Sequence, residues 1–175
     1  CIRDSGMCER FILPARKLHS SENLSMDQLA LVETLGIGCH CVDRATLGEG
    51  EKVLVIGAGP IGLSVVEFLK VAKAEITVMD MNETRLAFCQ SPMGVNHTVL
   101  FKNDGTEVER LREVNGGELP TTVIDATGSH ISMSNAFQFC EFTGQVVYVG
   151  ITTDELKFRH IAIHRPEITI KASRN

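Results

Sequence analysis

The chain has 175 residues, of which 43% are hydrophobic and 22% charged, and carries a formal net charge of −5 at pH 7. That is the make-up of a globular protein, long enough for one sizeable core and a fragment of a second. An acidic balance offers no basic face to nucleic acid or anionic lipid, no apolar run is long enough to span a bilayer, and no secretory leader opens the chain, so neither nucleic acid nor membrane is an expected partner.

The first residue is Cys1 rather than Met, which reads as part of a longer chain. Residues 8–13 have the composition of a strand, Pro14 ends it, and 15–24 is polar and loop-like. Ser25 opens a helix, with Gln28 three residues on in a capping-box pattern and Met26, Leu29, Ala30 and Val32 at helical spacing. Gly36 and Gly38 weaken its continuation, so two short helices with a break near Glu33 and Thr34 are predicted up to Val42. The six cysteines, at 1, 8, 39, 41, 89 and 140, form no Cys-x-x-Cys pair and read as reduced thiols of a cytoplasmic protein. Cys39-His40-Cys41 has the residue types of a metal cluster, but on a helix Cys39 and Cys41 point about 200° apart. Buried small hydrophobes are the better reading.

From residue 48 the pattern changes to strands alternating with helices. A turn at 48–51 leads into 53–56, a wholly apolar, β-branched run suited to a strand buried on both faces. Further strands are predicted at 76–79, 98–101, 122–124, 145–149 and 167–171, and helices at 60–72, 83–89, 105–114 and 131–140. Strands joined through helices give an α/β, doubly wound, six-stranded parallel sheet of Rossmann type.

Gly57-Ala58-Gly59-Pro60-Ile61-Gly62 follows the first of these strands and opens a helix, and Val53 to Asp80 spans 28 residues, the size of one βαβ unit. Gly57 permits the tight turn, Gly59 leaves room for a pyrophosphate against the backbone, and Gly62 lets the helix approach the sheet. Pro60 suits the first helical turn, and the N–H groups there, Ile61 included, favour an anion. Asp80, 18 residues after Gly62, ends the next strand; its carboxylate suits ribose hydroxyls and repels a 2′-phosphate, which points to NAD. Met81 and Asn82 bring no charge to neutralise such a phosphate. Arg85 lies one helical turn on, near the adenine or in solvent. The competing reading of Asp80 is a cap for the helix at Glu83.

Taken with Gly6 to Phe11, Leu31 to Leu35, Asp125-Ala126-Thr127-Gly128 and Val147-Tyr148-Val149-Gly150, the chain resembles the central part of a zinc-dependent medium-chain dehydrogenase, in the sorbitol and threonine dehydrogenase branch. The resemblance implies that 1–24 is the edge of a β-rich, GroES-like catalytic domain, 25–47 a connecting helical segment and 48–175 the NAD-binding domain. It implies that Glu33 faces a catalytic zinc, as ligand or close behind one. Thr127 and Gly128 would lie beside the cofactor ribose, Val149 and Gly150 near the nicotinamide, and Arg174 toward substrate. The family's other zinc ligands would precede Cys1. The implied activity of the intact protein is NAD-dependent oxidation of a small alcohol or polyol, by a homodimer or homotetramer joined through the last strand. The fragment alone would be inactive. Lys73-Ala74 replaces the family's glycine after the first crossover helix, which predicts a strained or rearranged turn there. Alternatives are a zinc-free quinone or enoyl reductase, a non-catalytic nucleotide module, and a methyltransferase, whose sheet would end in an antiparallel hairpin.

Overall fold

The computed structural model describes residues 9, 10 and 12–174, and the chain divides into two compact units, Cys1–Leu31 and Val32–Asn175. In the first unit the described residues before Met26 are irregular and exposed apart from a 3-10 turn at Ala15–Lys17. The strand predicted at 8–13 is not formed at Glu9, Arg10, Ile12 or Leu13; Cys8 and Phe11 lie outside the described residues, as do Gly6 and Met7. Ile12 is fully exposed, and among the described residues no strand pairs with this segment to take up its N–H and C=O groups.

Helix α1 (Met26–Ala45) begins as predicted. Ser25 N–H donates to Gln28 Oε1 at 2.9 Å and Gln28 N–H to Ser25 Oγ at 3.2 Å, the reciprocal capping box. The predicted break at Glu33 and Thr34 is absent: the helix runs unbroken through both glycines to Ala45. Gly38 is there for packing. A Cβ on it would stand 2.7 Å from the Ser64 carbonyl oxygen, so glycine lets two helices touch backbone to backbone, and that contact outweighs its poor helix propensity. Cys41 is fully buried and its thiol is pushed up to about 12 by burial, so it stays a neutral, small apolar group; Cys39 is half-buried.

The second unit continues with β1 (Lys52–Ile56), α2 (Pro60–Val71), β2 (Glu75–Asp80), α3 (Glu83–Gln90), β3 (His97–Leu100), α4 (Glu107–Val114), β4 (Thr122–Asp125), α5 (His130–Asn135), β5 (Gln145–Tyr148), α6 (Ile161–His164) and β6 (Thr169–Ala172). The sheet order is β3-β2-β1-β4-β5-β6, every pairing parallel. None of the strands forms the antiparallel hairpin a methyltransferase reading needs. The register places Val55 opposite Val78 and Ile124, so β1 sits at the sheet's centre.

Alternation along β1 explains the layers. Val53 and Val55 pack with Cys41, Val65, Leu69, Leu86 and Cys89 from α1, α2 and α3. Leu54 and Ile56 pack with Leu111 of α4 and with Phe137 and Phe139 of a 3-10 turn, Ala136–Phe139, that continues α5. Each fully buried aliphatic side chain of this kind contributes about 1.5–3 kcal/mol relative to exposure. The helix predicted at 131–140 is thus an α-helix finishing in a 3-10 turn. The last strand begins two residues later than predicted, because Glu167 adopts φ 54° and cannot be part of a strand. The turn after α2 is strained as predicted: Lys73 has φ 56°, with Ala74 N–H donating to the Leu69 carbonyl and Lys73 N–H to that of Lys70, a glycine-type helix ending made by lysine.

Candidate functional site

The carboxyl ends of β1, β2, β4 and β5 converge, and the loops leaving them touch. Gly57 turns the chain out of β1 with φ 100°, a value that favours glycine, and its N–H donates to the Met79 carbonyl at 2.8 Å. Gly59 is the cap residue of α2, with no side chain capping the helix, and a Cβ there would meet open space. Pro60 opens the helix, and the first-turn N–H groups that follow, at Ile61 and Gly62, have no carbonyl a turn back to bond. A Cβ on Gly62 would overlap the Gly57 carbonyl, so this helix sits as close to the strand turn as backbone allows.

Asp80 stands at the end of β2 with its side chain 10% exposed. One carboxylate oxygen accepts the Ala58 N–H at 2.7 Å and the other the Asn82 N–H at 2.8 Å. The cap of α3 is Asn82, whose side chain accepts from Arg85 N at 3.1 Å, so the alternative role for Asp80 belongs to its neighbour. Arg85 Nη1 lies 3.9 Å from Asp80 Oδ2. Together with Ala58, Gly59, Pro60, Leu63, Thr84 and Phe88, Arg85 lines an open cavity of about 360 Å³ beside the glycine turn. Leu63, Thr84 and Phe88 were not expected there; a helical face of α3 turned toward Asp80 was the available signal.

On the other side of β1, the Asp125 side chain ends β4 fully buried. Its Oδ1 accepts the Thr127 N–H at 2.9 Å and the Thr127 hydroxyl at 2.7 Å, and its Oδ2 accepts the Ser132 hydroxyl at 2.6 Å. Burial pushes the Asp125 carboxyl up, against the lowering effect of those donors. Burial also raises the Tyr148 phenol, whose hydroxyl donates to the Met133 carbonyl at 2.7 Å. A Cβ built on Gly57 comes within 3.1 Å of the Thr127 methyl. A Cβ on Gly150, just after the buried Val149, would fall 3.0 Å from Gly128 Cα. The structure therefore brings together Gly57, Gly59, Pro60, Ile61, Gly62, Asp80 and Arg85 in one group, and Thr127, Gly128, Val149 and Gly150 in the adjoining one.

Glu33 does not join them; it is exposed on α1. Among the described residues no group of three or more His, Cys, Asp or Glu side chains could hold a metal ion. One carboxylate does not make the three- or four-ligand shell zinc requires, so zinc does not fit the described residues by themselves. A dinucleotide does fit. The open space at Gly59, the uncapped start of α2 and the carboxylate at the end of β2 are the cradle such a ligand needs.

An open parallel sheet in the order 3-2-1-4-5-6, with a glycine turn at its central strand, is a Rossmann-type nucleotide-binding unit. Residues 60–175 match the family model described as zinc-binding dehydrogenase, and the chain belongs to that family. It is 33% identical over 173 residues to L-galactonate-5-dehydrogenase of Escherichia coli, covering 99% of this chain and 50% of that protein. It is 32% identical over 171 residues to L-arabinitol 4-dehydrogenase of Aureobasidium melanogenum, covering 95% and 46%. Among solved structures, 2R,3R-butanediol dehydrogenase from Bacillus subtilis matches with TM-score 0.78 and 28% identity, over 88% of this chain and 44% of that one. A short chain alcohol dehydrogenase from Escherichia coli, complexed with NADH, matches with TM-score 0.81 and 25% identity, over 93% and 48%. The chain spans about half the length of the curated relatives it matches.

Proposed function

We propose that this chain is the NAD-binding half of an NAD-dependent zinc alcohol or polyol dehydrogenase, with 48–175 as the cofactor domain, 25–47 as the connection and 1–24 as an edge of the catalytic domain. The observation that carries the reading is the glycine turn held by Asp80 through Ala58 N–H, beside the open start of α2. The pyrophosphate lies against Gly59, Pro60, Ile61 and Gly62, where backbone N–H groups and the helix dipole favour negative charge. The adenosine ribose meets Asp80, and the adenine enters the cavity between Arg85 and Phe88. Thr127, Gly128, Val149 and Gly150 lie along the second nucleotide and orient the nicotinamide. When bound, NAD supplies the hydride acceptor for a small alcohol or polyol. Glu33 faces the family's zinc only in company with ligands from outside the described residues.

Fluorescence titration with NADH tests the reading: saturable binding with enhanced nicotinamide emission is expected, and none would overturn it. The chain by itself, supplied with zinc, is expected to show no polyol oxidation, so measurable turnover would refute the division of labour proposed here. Its assembly is proposed as a homodimer or homotetramer. The edge strand β6 leaves Ile170 43% exposed in an open row of backbone groups suited to a twin strand. A monomer by light scattering at tens of micromolar would count against it. A cytoplasmic location belongs with this reading, and the free thiols of Cys41, Cys89 and Cys140 suit a reducing compartment. No helix among the described residues is long and apolar enough to cross a membrane.

A further inference from the structure

We propose that Asp125 is a positioning residue: its buried carboxylate holds the Thr127–Gly128 loop in the shape that receives the nicotinamide-bearing half of the dinucleotide. The proposal rests on the NAD reading above. In a sheet ordered 3-2-1-4-5-6, β1 to β3 carry one nucleotide and β4 to β6 the other, and Asp125 ends β4 on the second half. Residue 125 ties that half together from two directions. Its side chain accepts from Thr127 N–H, Thr127 hydroxyl and Ser132 hydroxyl, all between 2.6 and 2.9 Å. Its backbone carbonyl accepts from Val149 N–H at 3.1 Å and Gly150 N–H at 3.0 Å, the loop that follows β5.

The loop so held is the one whose Thr127 methyl abuts Gly57 and whose Gly128 packs on Ile151, where a Cβ would come within 3.1 Å of the carbonyl oxygen. Releasing the carboxylate frees the Thr127–Gly128 loop and the Ser132 hydroxyl in the first turn of α5. Exposed Asp104 closes the same kind of turn on Thr106, but a fully buried carboxylate is costly unless its oxygens are hydrogen-bonded, and those of Asp125 are. Here all its donors lie on the loop and the helix that border the second nucleotide. None of these hydrogen bonds reaches Asp80, Arg85 or the cavity between α2 and α3, so the adenosine half is expected to be affected far less.

The test is titration of the chain with NADH and, separately, with ADP, which carries the adenosine and the diphosphate but no nicotinamide half. Asp125→Ala is expected to weaken NADH by about tenfold or more and to reduce the nicotinamide emission enhancement, while ADP affinity stays within about twofold. Asp125→Asn keeps an acceptor for Thr127 and is expected to restore most of the NADH affinity. The double variant Thr127→Val with Ser132→Ala keeps the aspartate but removes its hydroxyl donors, and should lose NADH affinity in the same selective way even where Asp125→Ala does not fold. Equal loss for NADH and ADP, or unchanged NADH binding in both variants, would overturn the proposal. Failure of the unaltered chain to bind either ligand would instead overturn the cofactor reading beneath it.

Discussion

Asp80 carries two tasks, and two substitutions separate them. A 2′-phosphate about 4 Å from its carboxylate is repelled by roughly 4 kcal/mol at an effective dielectric of ~20. Arg85, 3.9 Å from the same carboxylate and 57% exposed, offsets part of that, and salt screens more. A net preference for NAD over NADP of at least about 1.4 kcal/mol, or tenfold, is expected. Asp80→Asn removes the charge, keeps an acceptor for Ala58 N–H, and should bring the two affinities within about threefold of each other. Asp80→Gly leaves the Ala58 N–H, now bonded at 2.7 Å, without its acceptor, at a cost of about 1–3 kcal/mol that falls on both cofactors. Adding Met81→Arg to that glycine variant places a guanidinium where Met81 is 77% exposed, and should weaken or reverse the preference by gripping the phosphate. Titrating NADH and NADPH against all four proteins decides it. Equal affinities in the unaltered chain would refute the electrostatic argument, and an Asp80→Gly variant with undiminished NADH binding would refute the bracing role.

Lys73→Gly should stabilise the chain by about 1 kcal/mol in thermal or urea unfolding, because it relieves a left-handed lysine and gives up only an exposed ion pair to Glu49; a lower midpoint would contradict this. Gly38→Ala should cost about 2 kcal/mol or more despite alanine's better helix propensity, since its methyl meets the Ser64 backbone; an unchanged midpoint would show that α1 can shift away. Glu141 is held below the usual carboxylate range by the N–H groups of Leu119 and Phe142, with Arg112 adding to the effect. Its contribution is therefore complete above the unfolded carboxyl pKa and is lost as pH falls through the lower folded value. Glu141→Gln should lower stability by about 1 kcal/mol at pH 7 and flatten the loss of stability below about pH 5; parallel acid limbs would refute it.

The central sheet was legible because burial on both faces leaves a plain mark: Val53 to Ile56 has no polar residue, and a helix-opening glycine turn follows at once. The helix at Met26 was legible from its capping box, but its length was not. Propensity treats Gly38 as a weak point, and only the approach of Ser64, 26 residues further along, reveals it as a contact. The described residues of the segment at 8–13 misled for the opposite reason, since strand composition forms no strand without a partner to pair with. At the site, spacing pointed to Asp80 as an acidic residue after a glycine turn. It could not show the bond to Ala58, because which amide a carboxylate meets depends on where two loops come together. Asp125 lay inside a recognised stretch, yet only its full burial distinguishes it from an ordinary strand-end aspartate.

The contacts between Gly62 and Gly57, Gly57 and the Thr127 methyl, and Gly128 and Gly150 form a line of close approaches at the carboxyl ends of the strands. Such a line leaves little room for added bulk: a larger side chain on any one loop presses on the next, with only the Thr127 methyl between them to give. That edge therefore behaves as a single stiff rim. A mutation that thickens one loop has to be answered by thinning its neighbour, so variation at Thr127, Gly128 and Gly150 should arise in matched sets. Adaptation to ligands of a different shape is left to the exposed side chains around the rim, such as Arg85, Phe88, Ile131 and Ile151, which can change size without disturbing the backbone beneath.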